Sequence, residues 1–298
     1  MAELSSPAHR QDNLRGILFM LAGFFMFSIA DTLAKVLTAT YHPVQIVWTR
    51  QLGITTGVLL LLIWSGPSLL RSVAPGLQIA RGLCAIVSAV GFVFALKYVP
   101  LADAVAVTFV APFMVTVMAA LLLGEKIGLR RTSAIAVGFL GTLVVIRPGQ
   151  GVLHPAILFV ILAAAAFAAR QILSRYLGNR DRTETTMAYT ALTSVALLAI
   201  PLPFLWQTPA TLGHIGIMAA MAILAAIGEY MIIRALEMAL AVVVAPMQYA
   251  MILFSSLWGF LVFGHIPDVW TWVGATIIIA SGLYMMLREA RLSAKPNP

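Results

Sequence analysis

The sequence predicts an all-α integral membrane protein: ten transmembrane helices in two inverted five-helix repeats, with both termini in the cytoplasm. Three observations carry that prediction. The first is composition. Of 298 residues, 61% are hydrophobic and only 10% are charged, against roughly 25% charged in an ordinary globular domain. The apolar residues come in runs of about 17–25, the length that crosses a hydrocarbon layer of ~30 Å. The second is an internal repeat at an offset of 140 residues. Ala95-Leu96 falls on Ala235-Leu236 and Gly124 on Gly264; at the front, Phe27 falls on Phe167, Leu33 on Leu173 and Lys35 on Arg175. One constant offset at both ends of a half marks a duplicated unit. The third is charge placement. The tails and the loops after even-numbered spans carry Arg10, Arg15, Arg71, Arg81, Lys126, Arg130, Arg131, Arg175, Arg180, Arg182, Arg234, Arg288, Arg291 and Lys295, whereas the other side carries Lys35, Lys97 and Arg147. Fourteen against three puts both termini inside. Five spans per half is an odd number, so the halves must be inverted.

In chain order the units are a cytoplasmic tail (1–15), a first repeat (16–150), a second repeat (151–288) and a short tail (289–298). The ten spans fall roughly at 16–38, 44–64, 77–97, 102–123, 131–147, 155–175, 187–206, 212–234, 242–263 and 269–287. Pro43, Pro100, Pro155, Pro209 and Pro267 lie in the breaks, where a missing N–H costs little. Residues 1–15 are polar, and no small-residue cleavage site follows the first apolar run, so they read as a retained tail. Cys84 is the only cysteine, which excludes an intrachain disulfide and a cysteine metal site. The net charge of +8 is spread over short loops and reflects orientation in the bilayer, not a nucleic-acid partner.

Several motifs are more specific. Pro100-Leu-Ala-Asp103 enters span 4, Pro112 lies within it, and Leu123-Gly-Glu-Lys126 closes it. Gly138-Phe-Leu-Gly141 followed by Arg147-Pro-Gly149 marks span 5. With these the chain resembles the EamA branch of the drug/metabolite transporter superfamily over nearly its whole length. The second half departs from the pattern, with Gly264-His265 where Gly-Glu is usual. The resemblance implies a secondary transporter of a bacterial inner membrane, working by alternating access between the repeats and exporting amino acids or similar metabolites. It implies no cofactor and no metal.

Ionisable residues inside spans cost roughly 2.5–3.5 kcal/mol each and usually face a cavity or a partner, so they are the first site candidates. Ser28, Asp31, Thr32 and Lys35 share one face of span 1. Asp31 and Lys35 stand i,i+4 in the favourable order, and Arg50 lies about 10 Å into span 2, near the level of Asp31. The three are expected to meet in the outer half of a cavity, as a substrate or gate group or as a structural ion pair. Arg170 and Gln171 near the inner end of span 6, with Glu229 toward that end of span 8, form the inverted counterpart; Gln171 answers Asp31 under the offset. Asp31/Arg50 and Arg170/Glu229 are read as closures that alternate, against the simpler view that Arg170 and Arg175 snorkel to the cytoplasm.

Ser88, Phe92, Thr108, Phe109, Tyr230, Gln248, Tyr249, Phe254, Ser255 and Trp258 are the remaining midplane polar and aromatic residues. Together they suit a small organic solute with an apolar part and a few polar groups; singly, each aromatic is as much at home against lipid or core. Tyr41 and Trp48 read as interfacial anchors. Pro112 and Pro246 can kink their helices as hinges, although membrane helices also tolerate proline without that duty. Ala134, Gly138 and Thr142 in span 5, with Gly274, Ile278 and Gly282 in span 10, let helices approach closely, as scaffold or as a homodimer contact.

An amino-acid zwitterion matches these carboxylates and guanidinium groups. The alternative solute is riboflavin or another vitamin-like metabolite, which would rely on the aromatics. An enzyme is disfavoured. His9 is in the tail, His42, His154, His214 and His265 sit at span edges, and no His-Glu-x-x-His, Gly-x-Ser-x-Gly or phosphate loop is present. A channel would want symmetric rings of ligands, which two inverted halves do not supply. The expected partners are a small-molecule substrate and the lipid bilayer.

Overall fold

The computed structural model describes residues 7–123, 129–147, 154–177, 181–239 and 244–293, all of them helix and connecting turn, with no strand among them. Gly124, Glu125, Lys126, Pro148, Gly149, Arg180 and Lys295 lie outside the described residues. The helices are α1 (Pro7–Leu37), α2 (Pro43–Ser65), α3 (Pro75–Leu96), α4 (Leu101–Thr108), α5 (Ala111–Leu123) and α6 (Leu129–Ile146). The second half holds α7 (Ile157–Leu177), α8 (Thr183–Ala199), a single turn α9 (Leu202–Leu205), α10 (Leu212–Met238), α11 (Ala250–Phe263) and α12 (Val269–Ser293). Among the described residues, 7 helical stretches are long and apolar enough to cross a membrane; 132–146 and 269–284 are shorter apolar helices. Trp64 (81% exposed) and Phe204 (90%) stand out from the bundle, as side chains bathed in lipid can.

Local chemistry sets the element ends. Proline opens α1, α2 and α3, where its absent N–H is not missed. His42 caps α2, its Nδ1 accepting the Val44 N–H at 3.3 Å. Gly264 ends α11 in the left-handed region (φ 69°), its N–H returning to Phe260 O at 2.9 Å. Arg147, just past the end of α6, also takes a positive φ (47°). Helix α1 begins ahead of the expected tail boundary at 15, and α12 runs past the one at 289.

Two spans expected as single helices are broken. The run 102–123 divides at Phe109 and Val110. Pro112 has no N–H to return to Thr108, so the chain crosses with tighter bonds, Phe109 N to Ala106 O (3.3 Å) and Val110 N to Val107 O (3.1 Å). In the second half a 3₁₀ turn, Ala245–Tyr249, holds Pro246 and precedes α11. Helix α8 starts earlier than the expected 187–206 and stops at Ala199, because Pro201 and Pro203 withdraw two donors.

The duplication extends from sequence to packing. Helix α1 packs on α10, α3 on α7, α2 on α10, α3 on α8, α6 on α12 and α2 on α8. Replacing each helix by its counterpart one offset away (α1 by α7, α2 by α8, α3 by α10, α6 by α12) returns the same list. The small residues sit where backbones meet, since lipid gives apolar helices no hydrophobic reason to associate and close packing must do so. A Cβ on Gly23 would lie 3.0 Å from Gly228 O, and one on Gly274 would lie 2.6 Å from Gly141 O. Ser281 Oγ donates to Ala134 O at 2.6 Å. These faces of α6 and α12 are used against each other within one chain.

Candidate functional site

The polar stripe of α1 is buried at Ser28, Asp31 and Thr32. Asp31 accepts from Arg50 Nη1 at 2.6 Å, and the Arg50 guanidinium lies 5.3 Å from the Phe27 ring centroid. Lys35 turns elsewhere. Its Nζ donates to Leu96 O (2.7 Å) and Val99 O (2.6 Å), and stands 5.4 Å from the Phe263 ring. It therefore satisfies carbonyls at the end of α3, where a helix dipole favours a cation, rather than forming the expected pair with Asp31. In the first turn of α4, buried Asp103 accepts from the Thr271 hydroxyl at 2.8 Å. Asp268 caps α12, accepting from the Thr271 N–H at 2.8 Å, and pairs with Arg147. Burial raises the Asp268 carboxyl, but the hydrogen bonds from Thr271 and Arg147 outweigh it, and its pKa lies below the ordinary value.

The second cluster lies between α3, α7, α8 and α10. Arg81 Nε donates to Ser174 Oγ at 2.7 Å and its Nη1 to Thr190 Oγ1. Arg170 stacks on Phe167 at 4.8 Å, and its buried Nε has no hydrogen-bond partner. Glu229 on α10 is an acidic neighbour of both arginines but forms no salt bridge with either, so the expected Arg170–Glu229 pair is not closed here. By sequence Arg81 counts among the loop charges, although its place inside the predicted span 77–97 already points to a buried role.

Aromatic rings separate the two clusters. Trp258 Nε1 donates to Ser28 Oγ at 3.1 Å, Phe25 meets Phe254 edge-on at 5.2 Å, and Phe109 meets Tyr249 at 5.0 Å. Phe92 and Phe167 pack against the core that holds Phe109 and Tyr249. Ser255 is fully buried with a hydroxyl that has no partner. Ser88 and Gln248 are half-buried, Gln171 is exposed, and Tyr230 is 61% exposed on α10. Pro112 lies in the first turn of α5 and Pro246 in the 3₁₀ turn. An apolar groove lined by Tyr249, Trp272 and Ile279 includes no charged residue of either cluster.

Hydrogen bonds join the two halves at both ends of the bundle. At the end carrying the α1–α2 turn, Gln45 exchanges two bonds with the backbone of Gln207 (2.8 and 2.9 Å). Trp48 Nε1 donates to Val195 O at 3.2 Å, and the Tyr41 hydroxyl meets His214 Nδ1 at 2.7 Å. Tyr41 and Trp48 are thus seam residues and not anchors facing lipid; Tyr41 is buried. At the opposite end, Asp181 accepts from Ser72 Oγ (2.5 Å), the Val73 N–H (2.9 Å) and Gln78 Nε2 (2.8 Å). These bonds, led by that from Ser72, hold its carboxyl below the ordinary value.

A duplicated helical bundle with an apolar exterior, in which the charged side chains of the described residues lie inside or at the ends, defines a multi-pass membrane protein. Residues 14–147 and 154–288 each match the EamA-like transporter family, and the chain belongs to that family. It is 31% identical over 270 residues to the pseudopaline exporter CntI of Pseudomonas aeruginosa (strain UCBPP-PA14), covering 89% of this chain and 94% of that one. It is 26% identical to an S-adenosylmethionine uptake transporter of Rickettsia prowazekii (strain Madrid E), covering 93% and 94%. It is 28% identical to a riboflavin transporter of Rhizobium johnstonii, covering 78% and 76%. A crystal structure with 20% sequence identity shares the fold, at a TM-score of 0.62 over 94% of this chain and 99% of that one.

Proposed function

We propose that this chain exports amino acids or similar small metabolites across the bacterial inner membrane, by alternating access through the space between its two repeats. The ten-span reading takes the seven long stretches, the two shorter apolar helices and α8 (Thr183–Ala199). The halves are inverted, both termini are cytoplasmic, and the end with the α1–α2 turn is the outer one. One observation carries the reading. Phe27 and Phe167, one offset apart, each lie under an arginine, at 5.3 and 4.8 Å. The rings are equivalent in the two repeats, while the arginine comes from the next helix in the first (Arg50) and from the same helix in the second (Arg170); such a ring-and-arginine pair in each half suits a path that opens first from one side and then from the other. Asp31/Arg50 serves as the outer polar closure and Arg170/Glu229 as the inner one.

The amino-acid assignment rests on the Asp31–Arg50 pair beside Phe27 and on Arg170 beside Phe167, groups of both signs next to aromatic rings, which match a zwitterion with an apolar side chain. The relatives named above include a carrier of a methionine derivative. Export is chosen over uptake because the 31% identical relative is an exporter. Riboflavin is the second reading, favoured by the ring cluster of Phe25, Phe254 and Trp258 and by the riboflavin-transporting relative.

Counterflow in proteoliposomes separates the two. Purified protein is given labelled amino acids, riboflavin or a nucleotide sugar, with and without a pH gradient. Amino-acid exchange that is lost in Arg50→Gln or Asp31→Asn supports the proposal. Exchange of riboflavin alone moves the assignment to a vitamin carrier, and no exchange of any solute defeats both.

A further inference from the structure

In the first repeat the stacked arginine already holds a carboxylate: Arg50 lies over Phe27 and donates to Asp31 at 2.6 Å. One offset later Phe167 again lies under an arginine, Arg170. The residue answering Asp31 is now Gln171, which is exposed and carries no charge. Arg170 Nε is buried without a hydrogen-bond partner. A second guanidinium comes to the same face of α7. Arg81 Nε donates to Ser174 Oγ at 2.7 Å, and that hydroxyl donates to Arg170 O, one turn back, at 2.8 Å. The acidic neighbour of both arginines is Glu229, which bridges neither. Two guanidinium groups with one carboxylate nearby leave this cluster one positive charge in excess. A buried charge is costly unless paired, and guanidinium edges match a planar oxyanion at two points.

We infer that Arg170 and Arg81 form an oxyanion subsite that takes the carboxylate of the transported solute. The solute's identity rests on the transport reading above; the presence of the subsite does not. The headgroup phosphate of an anionic lipid offers the same chemistry, and the test separates the two sources.

The probe is benzoate. Purified protein in neutral detergent is melted with sodium benzoate, benzamide or sodium chloride at matched ionic strength, as wild type, Arg170→Gln and Arg170→Lys. Benzoate is expected to raise the melting temperature of the wild type, and benzamide to leave it unchanged. Arg170→Gln weakens the apparent benzoate affinity by about tenfold or more, the value of a charge-assisted hydrogen bond. Arg170→Lys keeps the charge but loses the fork and falls between, which preserves the test if the glutamine variant does not fold. An equal benzoate response in all three proteins, or none in the wild type, overturns the subsite. In micelles containing phosphatidylglycerol, stabilisation by the lipid through Arg170 with no benzoate effect overturns the assignment to the solute. Benzoate binding that persists where amino-acid counterflow fails defeats the transport reading and leaves the subsite standing. Counterflow without a benzoate response does the reverse.

Discussion

Phe109 and Tyr249 lie 140 residues apart in the chain, and their rings meet with centroids 5.0 Å apart. Each stands at a helix break, Phe109 between α4 and α5 and Tyr249 at the end of the 3₁₀ turn before α11. Equivalent residues of a duplicated unit touch each other only near the axis that relates the halves. The pair therefore marks the centre of the bundle, with the Asp31/Arg50 cluster toward one end and the Arg81/Arg170 cluster toward the other.

Tyr249 is held there by Gly282. A Cβ at position 282 would lie 1.8 Å from the Tyr249 hydroxyl. Gly282→Ala is expected to destabilise the protein by about 1–3 kcal/mol, the usual cost of overpacking. The same substitution in a Tyr249→Phe background costs less, because the clashing oxygen is gone. Thermal melts of the four proteins in detergent check this; equal costs in both backgrounds would refute the contact.

Two glycines on α2 predict opposite outcomes. A Cβ on Gly53 would fall 2.1 Å from the backbone oxygen of Ala222, which cannot move aside, whereas one on Gly57 meets nothing within 4 Å. Gly53→Ala is expected to lower stability by about 3 kcal/mol or more. Gly57→Ala is expected to be neutral or to gain up to about 1 kcal/mol from helix propensity. Denaturation of the two variants side by side tests the α2–α10 packing.

The Asp31–Arg50 pair predicts a thermodynamic cycle. Asp31→Asn leaves a mostly buried arginine without its counter-charge, at a cost of about 3 kcal/mol. Adding Arg50→Gln removes the stranded charge, so the double variant should be at least as stable as Asp31→Asn alone. A double variant that loses the sum of the two single losses would show that the residues act separately.

Asp181 gives a pH prediction. Its pKa is held below the ordinary value of 3.8 by Ser72, Val73 and Gln78. A depressed carboxylate contributes stability above its unfolded pKa and loses it as pH falls through the folded one. Asp181→Asn should therefore be less stable than wild type at neutral pH, with the gap closing below about pH 4. Melting temperatures from pH 7 to pH 3 measure it, and a gap that widens on acidification would contradict the assignment.

Legibility in the sequence followed the range of each interaction. The seven long apolar stretches and the repeat were readable, because a bilayer imposes length and composition on every segment locally. Asp31 and Arg50 could be matched in depth by counting residues from the span ends. Lys35 could not be placed that way. The i,i+4 rule pointed it to Asp31, yet its partners are carbonyls of Leu96 and Val99 on another helix. Arg81 was lost to the charge census, which treats arginines near span ends as loop charges, although its Nε reaches across to Ser174. Tyr41 and Trp48 had the chemistry of interfacial anchors, and only the seam between the halves shows why they are covered. Pro112 marked a weak point, but the break falls two to three residues before it, where the missing donor is felt.

If the halves part at each end in turn, as proposed, a cross-link at either end must stop transport. In a Cys84→Ser background, cysteines replace Gln45 and Gln207 at one end, or Ser72 and Asp181 at the other, where hydrogen bonds of 2.8 and 2.5 Å now join the halves. A short, cleavable bis-thiosulfonate reagent locks each pair, and counterflow is measured in proteoliposomes before and after reduction. Locking either end is expected to stop exchange, and the reductant to restore it. Exchange at the unlocked rate with both ends locked would contradict it, because the solute would then be crossing without the halves separating.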